Sequence, residues 1–301
     1  MKLGLSSFSY GWAIGVRGFQ PPRPLDELGL LDKCRELDVK LLQVGDNLPL
    51  HTFNTTRLAK FADRAAQEGV ELEVGARGLT RQHVGQYASI ARRIGANLIR
   101  FVIDDAEHRP KAEEVVSVLR EVVSELECLT LGIENHDRFP AAVLRSIVQA
   151  TGSERVGVCL DTANSLGSGE GIEAVAAQLA PFTVNLHVKD FVVERAPHLM
   201  GFSVQGRPAG EGMMDIPSLL RQVAAHGRCA TAVLELWTPP ESNVEATIAK
   251  EARWAEASLE YLKPLFSNLR SGVPPPITSA QLAGAVNPIP ATTVDSGRGI
   301  E

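Results

Sequence analysis

The chain has 301 residues, of which 44% are hydrophobic and 22% are charged, and its formal net charge is −6. This length is enough for one α/β barrel whose core needs no disulfide or metal staple. A mildly acidic chain lacks the clustered basic residues that are typical of a nucleic-acid-binding protein. The sequence contains no run of about 18 apolar residues that would predict a membrane span. No N-terminal signal pattern precedes the first apolar run, so we expect a cytoplasmic location.

Eight short apolar runs alternate with longer segments that have helical periodicity. Segments such as Thr55–Gly69, Ala112–Glu127 and Ala141–Thr151 carry apolar residues at three- and four-residue spacing, which is typical of helices packed on a core. Eight strand–helix units in roughly 265 residues predict a single (β/α)8 TIM barrel rather than an open doubly wound sheet. The predicted strands are Lys2–Ser7, Lys40–Val44, Glu71–Gly75, Asn97–Ile103, Thr130–Glu134, Val156–Asp161, Thr183–Val188 and Ala232–Leu236.

Two stretches break this rhythm. The segment Asp190–Asp215 contains several Gly and Pro residues and is expected to be a long functional loop after the seventh strand. The end of the chain, Ser271–Glu301, is rich in Pro, Ser, Thr, Ala and Gly and is expected to be a disordered tail. We therefore predict a catalytic barrel over residues 1–268 and a tail over residues 269–301.

Four successive predicted strands, the fifth to the eighth, end on a carboxylate or an imidazole: Glu134, Asp161, His187 and Glu235. One such residue could simply cap the following helix. Four of them converge at the carboxyl end of a barrel, where their charges would repel one another unless a cation is bound. Three oxygen donors and one nitrogen donor suit one divalent cation (Mn²⁺, Mg²⁺ or Co²⁺). The scattered cysteines, Cys34, Cys128, Cys159 and Cys229, argue against structural zinc.

Two further polar residues follow these strand ends. Strand alternation places Lys189 on the same face as His187, where its ammonium would point into the pocket as an electrophile; the alternative is a salt bridge with Asp190 at the rim. His136 lies two residues after Glu134 and is a candidate proton donor, or else it merely orients a ligand. We take Glu134, His136, Lys189 and Glu235 as the candidate catalytic residues.

The candidate substrate-binding residues are Trp12, Arg100, Lys189 and Trp237. Arg100 in the fourth strand could hold a substrate carboxylate in a bidentate fork, or form an ion pair inside the barrel. The two tryptophans could pack against a sugar face, or merely shield the barrel mouth. Arg138 is a weaker candidate because it stands where a helix begins.

A metal in such a site can chelate two vicinal substrate oxygens and stabilise an enediolate as a Lewis acid. If a proton leaves, Glu134 and Glu235 serve as bases and the product is an isomer or epimer. If carbon dioxide leaves, the enzyme is a decarboxylase, and if a hydroxyl leaves it is a dehydratase. The scaffold alone does not separate these outcomes.

The motifs at the strand ends resemble those of the xylose isomerase-like barrel superfamily over about residues 1 to 265. This resemblance implies that Glu134, Asp161, His187 and Glu235 match the shared metal-ligand positions. Asn164 stands where many relatives, including multi-metal endonucleases, have a histidine, which argues further against DNA as a substrate. The motifs are Ile-Glu134-Asn-His136, Leu-Asp161-Thr-Ala-Asn164, Leu-His187-Val-Lys189-Asp190, Gly206-Arg-Pro-Ala-Gly210-Glu-Gly212-Met-Met-Asp215 and Leu-Glu235-Leu.

A closer resemblance is to the 3-oxo-isoapionate decarboxylases. It implies a carboxy-lyase that removes carbon dioxide from a 3-oxo sugar acid and yields erythrulose. An isomerase or epimerase of ketoses or hydroxy-keto acids, and a non-catalytic barrel that serves as a binding subunit, both stay open. The expected partner is a small sugar or sugar acid, without nucleic acid or membrane, and homo-oligomers stay open. The motifs are Leu3-Gly-Leu-Ser-Ser-Phe-Ser-Tyr10-Gly-Trp12-Ala-Ile-Gly, Gly45-Asp46-Asn47-Leu-Pro-Leu, Glu134-Asn-His136-Asp137-Arg138-Phe-Pro and Asp161-Thr-Ala-Asn164-Ser-Leu-Gly.

Overall fold

The computed structural model describes residues 1–271, and in them eight parallel strands close into a barrel. The strands in chain order are β1 (Lys2–Ser6), β2 (Leu41–Val44), β3 (Glu71–Arg77), β4 (Leu98–Val102), β5 (Thr130–Glu134), β6 (Val156–Asp161), β7 (Thr183–Val188), β8 (Asp190–Arg195), β9 (Phe202–Arg207) and β10 (Thr231–Leu234). Around the barrel the order is β1-β10-β7-β6-β5-β4-β3-β2, while β8 and β9 form a separate antiparallel pair. The predicted TIM barrel is confirmed.

Helices cover the outside of this barrel. They are α1 (Gly11–Ile14), α2 (Glu27–Glu36), α3 (Thr55–Glu68), α4 (Arg81–Ile94), α5 (Ala112–Leu126), α6 (Ala141–Thr151), α7 (Ile172–Leu179), α8 (Ile216–Ala224) and α9 (Val244–Ser271). The short α1 belongs to the loop after β1, and the other helices return the chain to the start of the next strand or close the fold. Within residues 1–271, no helix combines the length and the apolar character needed to cross a membrane.

Local sequence signals explain why these elements form. Helix α3 begins where the Asn54 side chain accepts a hydrogen bond from the backbone N–H of Arg57, and it ends at Gly69, whose φ of 64° is left-handed. Its buried residues, Leu58, Phe61 and Ala65, recur at helical spacing and face the barrel. Parallel strands, by contrast, are covered on both faces and read as continuous apolar runs, as all six buried residues of β6 illustrate.

The predicted ends of two elements differ from the structure. The eighth barrel strand ends at Leu234, so Glu235 is the first residue after it rather than its penultimate member. Helix α9 continues to Ser271, so the predicted boundary at residue 268 lies inside this helix. The rest of the predicted tail, residues 272–301, lies outside the described residues.

The segment predicted as one long loop, Asp190–Asp215, instead contains the hairpin of β8 and β9. Gly206 explains how this hairpin reaches the barrel mouth. A Cβ atom at this position would lie 1.9 Å from the carbonyl oxygen of Trp237, so only glycine allows so close an approach. This part of the chain is therefore not an irregular loop but a two-stranded arm held against the residues that follow β10.

Candidate metal centre

The structure brings the four predicted metal ligands together at the carboxyl end of the barrel. All four side chains are at most 3% exposed. The Nδ1 atom of His187 lies 3.2 Å from a carboxylate oxygen of Glu235, and 3.7 Å from oxygens of both Asp161 and Glu134. These four donor atoms therefore surround one small space at the end of β5, β6, β7 and β10.

Two of these donor atoms indicate that the space suits a cation. In the described part of the chain, His187 Nδ1 is buried without a hydrogen-bond partner, and Glu134 Oε2 is buried with only the misaligned Arg100 Nε beside it. Buried polar atoms are rarely left unsatisfied, and a bound ion is one of the usual reasons. Three carboxylates and an imidazole also match the donors that Mg²⁺, Mn²⁺ and Co²⁺ accept. The residues present therefore fit a divalent metal.

Lys189 lies in the same site, on the face predicted for it. Its Nζ atom is 2.7 Å from Asp161 Oδ2 and 2.9 Å from Glu235 Oε2, and the residue is 6% exposed. The alternative salt bridge with Asp190 is not formed. The Asp190 carboxylate instead accepts hydrogen bonds from backbone N–H groups of the segment after β9. The ammonium thus faces the ligands and lies 5.4 Å from the centre of the Trp237 ring.

A second positively charged side chain, that of Arg100, lies beside Glu134. The Oε2 atom of Glu134 lies 2.6 Å from Nε of Arg100, without the alignment of a hydrogen bond, and its Oε1 atom accepts one from the Asn164 side chain at 2.7 Å. Arg100 also pairs with Asp46 at 2.7 Å and is 2% exposed. The structure therefore shows the ion pair inside the barrel, and a substrate carboxylate would reach Arg100 only alongside Glu134.

These charges shift the pKa values of the ligands. Burial raises the pKa of the Glu235 carboxyl, but the charges of His187 and Lys189 outweigh it and hold that pKa well below its usual range. Burial lowers the pKa of His187, yet the acidic groups around it, Cys159, Glu235 and Glu134, raise it well above its usual value. Metal binding at Nδ1 must therefore displace a proton from this imidazole.

Cys159 also lies in this site, although the sequence pattern did not predict it there. Its Sγ atom lies within 4.8 Å of ligand atoms of Glu134 and His187, so the site is not free of cysteine. Burial raises the pKa of this thiol to about 11, and Sγ donates to Asn185 Oδ1 at 3.1 Å. Without a metal beside it, this raised pKa favours the thiol over the thiolate at neutral pH. The inward position of residue 159, two before Asp161, was the available signal.

His136 lies at the edge of the site. Its Nδ1 atom is 2.6 Å from Asp137 Oδ1, its side chain is 32% exposed, and it lines a small cavity beside Glu134. Arg138 lines the same cavity, but its guanidinium is held by Asp104. The imidazole of His136 therefore lies beside Glu134 with part of its surface exposed to solvent.

Both predicted tryptophans border a cavity of about 470 Å³ at the barrel mouth. Trp12 donates from its indole N–H to the carbonyl oxygen of Thr238 at 2.9 Å, which ties the loop after β1 to the segment after β10. Trp237 is 38% exposed. Val204, Gln205 and Gly206 of the hairpin line the same cavity, so both tryptophans border it on the hairpin side.

Comparisons with known proteins agree with this architecture. The family model described as "Xylose isomerase-like TIM barrel" matches residues 75–265. The 3-oxo-isoapionate decarboxylase of Pectobacterium atrosepticum is 30% identical over 264 residues, which cover 87% of this chain and 95% of that protein.

Solved structures show the same fold at low sequence identity. A D-psicose 3-epimerase from Clostridium cellulolyticum H10, solved with D-tagatose, superposes with a TM-score of 0.66 at 16% identity, covering 88% of this chain and 99% of that one. A xylose isomerase-like TIM barrel protein from Mycobacterium smegmatis, in complex with magnesium, gives 0.64 at 12% identity, with 86% and 97% covered. With the matching family model and the 30% identical relative, these findings show that the chain belongs to the xylose isomerase-like TIM barrel family.

Proposed function

We propose that the protein is a divalent-metal-dependent carboxy-lyase that removes carbon dioxide from a 3-oxo sugar acid of the 3-oxo-isoapionate type, giving erythrulose. Glu134, Asp161, His187 and Glu235 would hold the cation. When bound, the cation supplies a Lewis acid for the substrate's keto oxygen and a neighbouring oxygen. The 30% identical decarboxylase supports this choice of reaction.

The observation that carries the proposal is the way in which both glutamates are engaged. Glu235 accepts from the Ser6 hydroxyl at 2.8 Å through one oxygen and pairs with Lys189 through the other. Glu134 is likewise held by Asn164 and Arg100. An epimerase needs these two carboxylates as bases on opposite faces of the substrate. Decarboxylation removes no carbon-bound proton and needs no such base.

Lys189 supplies what decarboxylation does need. The bond between the carboxylate carbon and its neighbour breaks, carbon dioxide leaves, and the electron pair moves onto the former keto oxygen. A fixed ammonium next to that oxygen stabilises the developing charge in a water-poor site. A proton must then reach the carbon that lost the carboxylate. His136, beside Glu134 with access to solvent, is our candidate donor for this step.

The test is to incubate the protein and Mn²⁺ with 3-oxo sugar acids and, separately, with ketoses in deuterated water. We expect carbon dioxide to be released from a branched 3-oxo acid. In the separate incubations, we expect no deuterium to enter the ketoses that were supplied as substrates. K189M should lower the rate roughly 10²-fold or more, because it removes a charge that acts in the transition state.

A matched control is K250M. Lys250 also pairs with a glutamate, Glu241 at 2.8 Å, and also lies over a tryptophan, 5.0 Å from the Trp254 ring, but it stands outside the metal site. Its variant should keep the wild-type rate. Deuterium in a ketose without gas from any 3-oxo acid would favour the epimerase instead, and metal binding without turnover of either substrate class would favour a binding subunit.

A further inference from the structure

A connected layer of buried polar side chains lies below the metal ligands, towards the amino ends of the strands. Gln43 on β2, Glu73 on β3 and Asn185 on β7 are at most 4% exposed. Barrel interiors are usually filled by branched apolar side chains, and buried polar groups are costly unless they are hydrogen-bonded. We therefore expect this layer of polar side chains to have a role other than packing.

The layer ends on the metal-ligand histidine. Gln43 Oε1 lies 2.7 Å from His187 Nε2, the ring nitrogen that faces away from the other ligands. The Gln43 amide nitrogen donates to Glu73 Oε2 at 2.9 Å and to Asn185 Oδ1 at 3.1 Å. With both amide protons given to these acceptors, the oxygen of Gln43 must face the imidazole.

This orientation decides which nitrogen of His187 carries a proton. An amide oxygen only accepts, so Nε2 keeps its proton, and once the imidazole is neutral Nδ1 is the nitrogen that offers a lone pair to the space between the other ligands. A flipped amide would present N–H groups to Nε2 and favour the tautomer with a proton on Nδ1. That proton would block the metal.

We propose that Glu73 is a positioning residue for the metal centre, acting through Gln43 to fix the metal-binding tautomer of His187. The proposal rests on the proposed metal site but not on the reaction that the site performs. Groups that orient a metal-bound histidine raise metal affinity in this way without touching the ion. Asn185 in turn is held by the Thr231 hydroxyl at 2.9 Å, so each member of the layer has a defined orientation.

The first test is calorimetric titration of Mn²⁺ into metal-stripped protein, comparing wild type with E73Q. The new amide can donate as well as accept, so Gln43 is no longer confined to one orientation. We expect Mn²⁺ affinity to fall about 10- to 100-fold. E71Q is the matched control, because Glu71 lies two residues earlier on the same strand but pairs with Lys2 at the surface, and its affinity should not change.

The second test moves the carboxylate from position 73 to position 43 and measures whether Mn²⁺ affinity recovers. In the double variant Q43E/E73Q, a carboxylate at position 43 accepts the proton of His187 Nε2 while the amide at position 73 donates to it. We expect this variant to recover most of the affinity lost in E73Q. An affinity of E73Q equal to wild type, or a folded double variant that binds no better than E73Q, would overturn the proposal.

A third measurement needs no variant and so does not depend on how the substitutions fold. In wild-type protein loaded with Mg²⁺, ¹⁵N NMR of the histidine rings should show His187 protonated at Nε2. A proton on Nδ1 would contradict the proposal. If wild-type protein binds no metal, the metal site itself fails. Metal binding without decarboxylation leaves Glu73's role intact and refutes only the proposed reaction.

Discussion

Single carboxyl groups do different work in this barrel according to their neighbours. The metal ligands face positive charges, whereas Glu251 on α9 is buried against neutral backbone. Its two oxygens accept from the N–H groups of Trp12 at 2.9 Å and Ala13 at 3.0 Å, which anchors the loop that carries Trp12. Burial raises the pKa of Glu251 from an ordinary 4.5 to about 7.

This raised pKa predicts a pH dependence of stability. Between about pH 4.5 and pH 7 the folded chain holds a proton on Glu251 that the unfolded chain has lost, so stability from this group is present at lower pH and is lost as pH rises through about 7. E251Q cannot ionise. We expect the difference in melting temperature, E251Q minus wild type, to increase as the pH is raised from about 5 to about 8.

Melting curves by differential scanning fluorimetry across this range provide the measurement. E256Q, an exposed glutamate one turn further along the same helix, is the control and should track wild type at every pH. A difference between E251Q and wild type that stays constant with pH would show that the Glu251 carboxyl does not titrate in this window.

The sequence predicted the metal ligands but not every contact that they make. Glu134, Asp161, His187 and Glu235 were predictable because each closes an apolar strand, and parallel strands in a barrel bring their carboxyl ends together. The partner of Lys189 was not predictable. Whether its ammonium meets Asp190 or reaches across to Asp161 and Glu235 depends on the stagger between strands and on the side-chain conformation, which no local pattern encodes.

At the scale of elements, the barrel strands were predicted closely and the hairpin was missed. The barrel strands are buried on both faces and leave long apolar runs. Half of the residues of β8 and β9 are exposed, so the alternation that marks a strand is diluted by charged and small residues, as in Val-Val-Glu-Arg195. Gly and Pro between the two strands and after β9 made the segment resemble an irregular loop.

Asp190 holds this hairpin arm in place, which gives a prediction for the element. Its carboxylate accepts from four backbone N–H groups, those of Phe191, Gly210, Gly212 and Met214, at 2.9 to 3.2 Å. D190A leaves these donors without their acceptor. We expect the free energy of unfolding to fall by about 1–3 kcal/mol, measured by urea denaturation.

The control for this prediction lies on the same strand. Glu194 pairs with Arg207 across the hairpin at the surface, so E194A should change the unfolding free energy by less than about 1 kcal/mol. Equal effects of D190A and E194A would mean that the backbone segment after β9 does not depend on the Asp190 carboxylate.

At the scale of the whole molecule, the barrel explains why residues distant in sequence form one site. Glu134 and Glu235 are far apart along the chain, yet His187 Nδ1 lies within 3.7 Å of an oxygen of each. The fold was predictable because its period is repeated eight times. The polar layer below the ligands was not, because Gln43, Glu73 and Asn185 come from three separate strands and become a network only when the barrel closes.

Metal binding by the intact protein is the measurement on which the proposed metal centre depends. Wild-type chain stripped with EDTA and titrated with Mn²⁺ in a calorimeter should bind one equivalent, because four buried donors surround one space. E235Q should stay folded and lose most of this binding, whereas E211Q, at an exposed glutamate after the hairpin, should bind as wild type does. No binding of Mn²⁺, Mg²⁺ or Co²⁺ by folded wild-type protein, or undiminished binding by E235Q, would contradict the metal centre.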